Sequence, residues 1–183
     1  KRQDSSYSKN LTETSPSRTE DLTGWPHKPP YEIQGDKSMK KRLYVAYGSN
    51  LNLWQMARRC PTAKVFGIGT IKDYQLTFRC VATIEPEIGK EVPVGVWEIQ
   101  PRDEAALDRY EGYPNLYRKE DIQVTMSDGT EVTAMVYIMN RGLPDYPNAS
   151  YYRTIEEGYH DCGLDPQYLK GALEDTEMRK KKQ

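Results

Sequence analysis

Apolar positions in this chain come mostly in short blocks broken by polar residues, and the first block to run on without a break is Leu43, Tyr44, Val45, Ala46 and Tyr47. Its β-branched and aromatic bias predicts a strand buried inside a sheet. The run stops at Gly48, Ser49 and Asn50. Gly48 permits positive φ, and Ser49 and Asn50 can bond nearby backbone or cap the helix expected over 51–59, which Pro61 ends. Strands are predicted over 64–71 and 74–81, with Gly67 and Gly69 marking a bend or a close backbone neighbour. A PEIGKE turn at 86–91 then leads to a strand over 92–99.

Residues 101–110 combine an early proline, acids in the first turn and Ala105, Ala106, Leu107 and Tyr110 on one side, a helix that Gly112 and Pro114 should end. Two alternating strands, 117–126 and 130–139, flank Ser127, Asp128 and Gly129 as a hairpin. A Pro-rich loop over 140–148 precedes closing helices over 150–160 and 166–174. Too many strands follow one another by short turns for a doubly wound parallel sheet. The fold expected is α+β, a small mixed, barrel-like curved sheet with flanking helices.

Hydrophobic content is 37%, and the deficit has an address. Residues 1–38 are crowded with Ser, Thr, Pro, Lys and Asp and cannot bury enough surface to offset chain entropy, so they read as a polar arm, with one domain over 39–183. Charge balances at 26 basic against 27 acidic residues, which argues against nucleic acid or an anionic membrane as a partner. Three scattered cysteines, Cys60, Cys80 and Cys162, argue for a reducing compartment and read as small buried residues. With only His27 and His160 beside them, a metal cluster is not expected. No run is long enough to span a membrane, and nothing near the start has the order of a signal peptide. A leader removed before Lys1 would leave no trace in these residues.

Two stretches could carry chemistry. A tight turn after a buried strand leaves backbone N–H groups pointing one way, a nest for an anion or a carbonyl oxygen, although 47–50 also reads as a plain strand exit. Glu111 falls at a helix C-terminus among Tyr110, Tyr113 and Tyr117. The dipole and aromatic walls there both disfavour its charge, which would suit a general acid/base; the alternative is an ordinary surface glutamate in a last turn. Arg58 and Arg59 read as a solvated helix end, and Arg79 as an outward strand position.

Taken together, YVAYGSNL at 44–51, GVWEI at 95–99, LDRYEGYP at 107–114, Tyr117, VYIM at 136–139, and PNASY at 147–151 leading to Gly158 and to GL at 163–164 resemble the gamma-glutamylcyclotransferase family, including its AIG2-like and gamma-glutamylamine cyclotransferase members. The resemblance runs from about residue 43 to about residue 173. It implies a small mixed barrel and an intramolecular reaction in which a γ-glutamyl substrate's α-amine closes on its own side-chain carbonyl, releasing 5-oxoproline and a free amine or amino acid. By that similarity Glu111 is the catalytic glutamate, and Tyr44, Val45, Ala46, Tyr47, Gly48, Ser49 and Asn50 form the substrate-binding loop. Tyr117, Tyr137 and Tyr151 would orient substrate or Glu111. The resemblance implies a cytoplasmic enzyme with no metal or organic cofactor, and leaves room for a homodimer. A non-catalytic module that binds a small acid or a partner protein on the same fold is the alternative.

Overall fold

The protein was studied as a computed structural model, which describes residues 41–182; the arm expected over 1–38 and the domain start at Met39 lie outside the described residues. Five strands close into a barrel in the order β1, β3, β2, β4, β5. They are β1 (Arg42–Ala46), β2 (Lys64–Arg79), β3 (Val81–Ile99), β4 (Tyr117–Met126) and β5 (Glu131–Met139). The barrel is mixed: β1 runs antiparallel to β3 and parallel to β5, and the remaining pairs are antiparallel. Four α-helices flank it: α1 (Leu53–Arg59), α2 (Pro101–Glu111), α3 (Ala149–Cys162) and α4 (Pro166–Lys180). Among the described residues no helix is long and apolar enough to cross a membrane.

The unbroken run of β1 is explained by its two neighbours. Tyr44, Val45 and Ala46 are almost wholly buried, with β3 on one edge and β5 on the other. Val94, Val96, Val124, Met135 and Val136 on neighbouring strands are equally dry and share one core with it.

The region 64–99 departs from the expectation of three strands. β2 is one strand of 16 residues and β3 one of 19, joined by a tight hairpin at Cys80. Cys80 takes φ of 65° there, which an L residue seldom adopts, and it is exposed rather than buried. The PEIGKE stretch lies inside β3, where several of its residues oppose Asp73 in a wide bulge. Gly89, at φ of 81°, donates its N–H to Asp73 Oδ1 at 2.8 Å. Arg79 is not an outward strand residue either: its side chain is half-buried and paired with Glu85. Gly69 does mark a close approach, since a Cβ there would stand 2.7 Å from Val124 Cγ1 and 2.8 Å from Thr125 O on β4.

α2 begins as expected, with Pro101 in its first turn and Asp103 accepting the Gln100 N–H at 3.0 Å. The closing helices run longer than anticipated, α4 reaching Lys180. α3 crosses directly over the turn that follows β1. Gly158 makes that crossing possible, because a Cβ would lie only 2.7 Å from both Asn52 N and Leu51 Cβ.

Candidate active site

After Ala46 the chain leaves the barrel through Tyr47 and Gly48 and enters a single 3-10 turn, Ser49–Leu51. Its two bonds run from Leu51 N–H to Gly48 O at 2.9 Å and from Asn52 N–H to Ser49 O at 3.2 Å. The amides of Gly48, Ser49 and Asn50 therefore precede the first intrahelical donor. The positive φ that Gly48 permits is not used, since its φ is −121°. The site is close-packed instead: a Cβ would sit 3.2 Å from Ala82 Cβ and 3.3 Å from the Tyr151 hydroxyl, so those neighbours would have to give by a few tenths of an ångström. Capping of α1 falls to Asn52, whose Oδ1 accepts the Gln55 N–H at 2.9 Å. The side chains of Ser49 and Asn50 are thereby left for the interior.

Opposite this turn, α2 ends at Glu111. Gly112 adopts φ of 64°, and the N–H groups of Gly112 and Tyr113 both return to Asp108 O, stopping the helix with the glutamate on its last position. Asn50 then joins the two features, its Nδ2 donating to Glu111 Oε1 at 2.9 Å and to the Tyr44 hydroxyl at 2.7 Å. A cavity of about 230 Å³ opens between them. Tyr44, Val45, Tyr47, Gly48, Ser49, Asn50, Glu111, Tyr117, Tyr137 and Tyr151 all line it. Ala46 is fully buried in the barrel and does not.

Desolvation raises the Glu111 carboxyl from its ordinary range to about 7, against the opposing pull of the Arg59 charge and the Asn50 hydrogen bond. Near neutrality the group is populated in both forms, as a carboxyl that must take and return one proton requires.

The tyrosines frame this space through bonds to fixed partners. Tyr47 donates to Tyr137 O at 2.5 Å, Tyr117 donates to Ala82 O at 2.7 Å, and Tyr151 accepts the Ala82 N–H at 3.1 Å. Tyr137 donates to Asp108 Oδ1 at 2.5 Å and meets the Tyr44 ring edge-on at 5.9 Å. Burial holds the hydroxyls of Tyr44, Tyr47, Tyr117, Tyr137 and Tyr151 above their ordinary value, so they stay neutral donors and acceptors at physiological pH.

Two contributions escape a reading of the sequence, those of Val81 with Ala82 and of Arg59, and the partner of Tyr110 is a third finding. Val81 and Ala82 line the cavity because β2 and β3 form a hairpin at Cys80, which carries no glycine signal. Tyr110 reaches back to Ser49, its hydroxyl 3.0 Å from Oγ. Arg59 is not a solvated helix end: its guanidinium lies 3.3 Å over the Tyr110 ring and its Nη1 donates to Asn50 Oδ1. An arginine before a helix-stopping proline has no local feature announcing such partners.

Comparison with known proteins agrees with this geometry. The profile of the family described as gamma-glutamyl cyclotransferase, AIG2-like, matches residues 44–161. The human protein named gamma-glutamylcyclotransferase is 30% identical over 139 residues, covering 69% of this chain and 74% of its own. Its mouse counterpart is 29% identical over 154 residues, covering 76% and 82%. A solved structure titled gamma-glutamyl cyclotransferase superposes with a TM-score of 0.66 at 27% identity, over 73% of this chain and 87% of that one. The chain belongs to the gamma-glutamyl cyclotransferase, AIG2-like family, and is an enzyme of that type.

Proposed function

We propose that this protein releases 5-oxoproline and a free amine or amino acid from a small γ-glutamyl compound, with Glu111 as the single general acid/base. The observation that carries the proposal is the meeting of Glu111 and Asn50 across one cavity, a proton carrier facing the amide-rich turn after β1.

The substrate's α-ammonium must first lose a proton, and ionised Glu111 accepts it. The freed amine attacks the γ-carbonyl carbon of the same molecule, forming the ring C–N bond and pushing an electron pair onto the carbonyl oxygen. Backbone N–H groups at Gly48 to Asn50 are the donors available to that oxyanion and to the substrate's carboxylate. Collapse of the intermediate breaks the original C–N bond, and the leaving nitrogen takes back the proton from Glu111. The ring nitrogen then gives up its second proton to the ionised Glu111 carboxylate, which passes it to the freed amine, so a neutral lactam and an ammonium product leave and charge and proton count close on one carboxyl group, with no electron transferred.

Nucleophile and electrophile belong to one molecule, so the cavity's main task is to hold the glutamyl group folded. Buried tyrosine walls with fixed hydroxyls suit that task better than mobile side chains. Tyr110 and Leu116, each about half exposed at the rim, are where the leaving amine would extend. Incubation with γ-glutamyl-alanine and a panel of other γ-glutamyl amines, followed by chromatographic detection of 5-oxoproline, tests the reading. Product from at least one substrate is expected, and none from any would overturn it.

A further inference from the structure

We infer that Arg59 is a positioning residue of this site, which acts on Glu111 by fixing the orientation of the Asn50 amide. This rests on the reading of Glu111 as proton carrier. Asn50 is almost fully buried, and its amide touches three groups: Arg59 at Oδ1, and Tyr44 and Glu111 at Nδ2. Arginine has donors and no acceptor, so the atom that faces it must be the amide oxygen. Both N–H bonds are then committed to the opposite side, one to Tyr44 and one to Glu111.

The arginine is itself held on three sides. Its guanidinium lies over the Tyr110 ring, Gln55 one turn earlier on α1 accepts from Nη2 at 3.3 Å, and Asn50 accepts from Nη1. Tyr110 is held in turn by Ser49. A residue at the end of α1 thus ties the turn after β1 to the end of α2, the two halves of the cavity.

Without Arg59 the amide has no reason to prefer one orientation. When Glu111 is protonated its O–H is best met by an amide oxygen, and when ionised by an amide N–H. Arg59 removes that choice and keeps the donor facing the carboxyl in both states, which favours the ionised base. Its positive charge acts in the same direction. Other ionisable groups lining the cavity with Glu111 are Tyr110 on α2 and five tyrosines kept neutral by burial, Tyr44 on β1, Tyr47 after it, Tyr117 on β4, Tyr137 on β5 and Tyr151 on α3. Behind Tyr137, Asp108 is paired with Lys119 at 2.7 Å. Among the described residues Arg59 is therefore the cation that acts on this carboxyl.

The test is a titration of the Glu111 carboxyl by carbon NMR, with ¹³C-labelled glutamate and E111Q to identify the resonance, run beside the pH profile of kcat/KM. Arg59→Met keeps an apolar stem against Tyr110 and removes the charged fork. It should raise the Glu111 pKa and move the acid limb to higher pH by about one unit, lowering kcat/KM on that limb roughly tenfold. Arg59→Lys, which returns a cation and a donor, should recover at least half of the shift. A ¹H–¹⁵N spectrum matching wild type confirms that each variant is folded. A Met variant whose titration overlays wild type, or a Lys variant displaced as far as the Met variant, would overturn the assignment. If E111Q retains turnover, the proton-carrier reading fails by itself, and the carboxyl titration still decides the role of Arg59.

Discussion

Gly158 is where the packing of α3 meets the chemistry of the turn, and replacing it with alanine puts a number on that contact. The new Cβ would lie 2.7 Å from Asn52 N, 2.7 Å from Leu51 Cβ and 2.9 Å from Leu51 C, where ordinary contact begins near 3.4 Å. Two of those atoms are backbone, so no side chain can swing away, and the turn or the helix must move by about 0.7 Å. Overpacking of this kind costs about 1–3 kcal/mol. Alanine's better helix propensity returns about 1 kcal/mol, leaving a net loss of up to roughly 2 kcal/mol. Gly171 on α4 is the control, since a Cβ there meets nothing within 4 Å and should stabilise by about 0.5–1 kcal/mol. Urea unfolding at matched m-values reads both. The displaced turn carries Ser49 and Asn50, so G158A should also lose turnover on the order of tenfold or more, while G171A keeps it. A G158A protein as stable and as active as G171A would refute the close seating of α3 on the turn.

Two further expectations concern stability. The Glu111 carboxyl is raised from an ordinary 4.5 to about 7, so between those values the native state holds a proton that the unfolded chain has released. Unfolding free energy must then fall as pH rises through that window. E111Q lacks this slope, so wild type should lose stability relative to E111Q between about pH 5 and about pH 8, and parallel urea-derived curves would contradict a raised carboxyl. Asp103, 1% exposed, accepts both the Gln100 N–H at 3.0 Å and the Thr62 hydroxyl at 2.7 Å. D103A should cost about 2–3 kcal/mol in the same assay, and a loss under about 0.5 kcal/mol would mean the α2 start is held by something else.

How far the fold could be read in advance depended on whether a signal was local. β1 was legible because burial on both faces demands continuous apolar residues. α2 was legible because proline, acids and Gly112 mark its ends. The β2–β3 hairpin was not, since its turn residue is Cys80 in a left-handed conformation that sequence rules reserve for glycine or asparagine. The stretch that does look like a turn, with Pro86 and Gly89, is absorbed as a bulge opposite Asp73. At the site, the end of α2 could be placed from the chain, whereas Arg59 could not. Its guanidinium is held toward Asn50 by Tyr110, which lies far along the chain and comes beside it only in the folded protein.

If one carboxyl group moves the proton from the substrate's amine to its leaving group, 5-oxoproline formation by E111Q at saturating γ-glutamyl-alanine must collapse. The glutamine keeps the size of the side chain and an acceptor for Asn50 but accepts no proton at neutral pH. A folded E111Q protein should still bind substrate and turn it over about 10²–10⁴-fold more slowly than wild type. Turnover within a few-fold of wild type would show that the proton travels by another route.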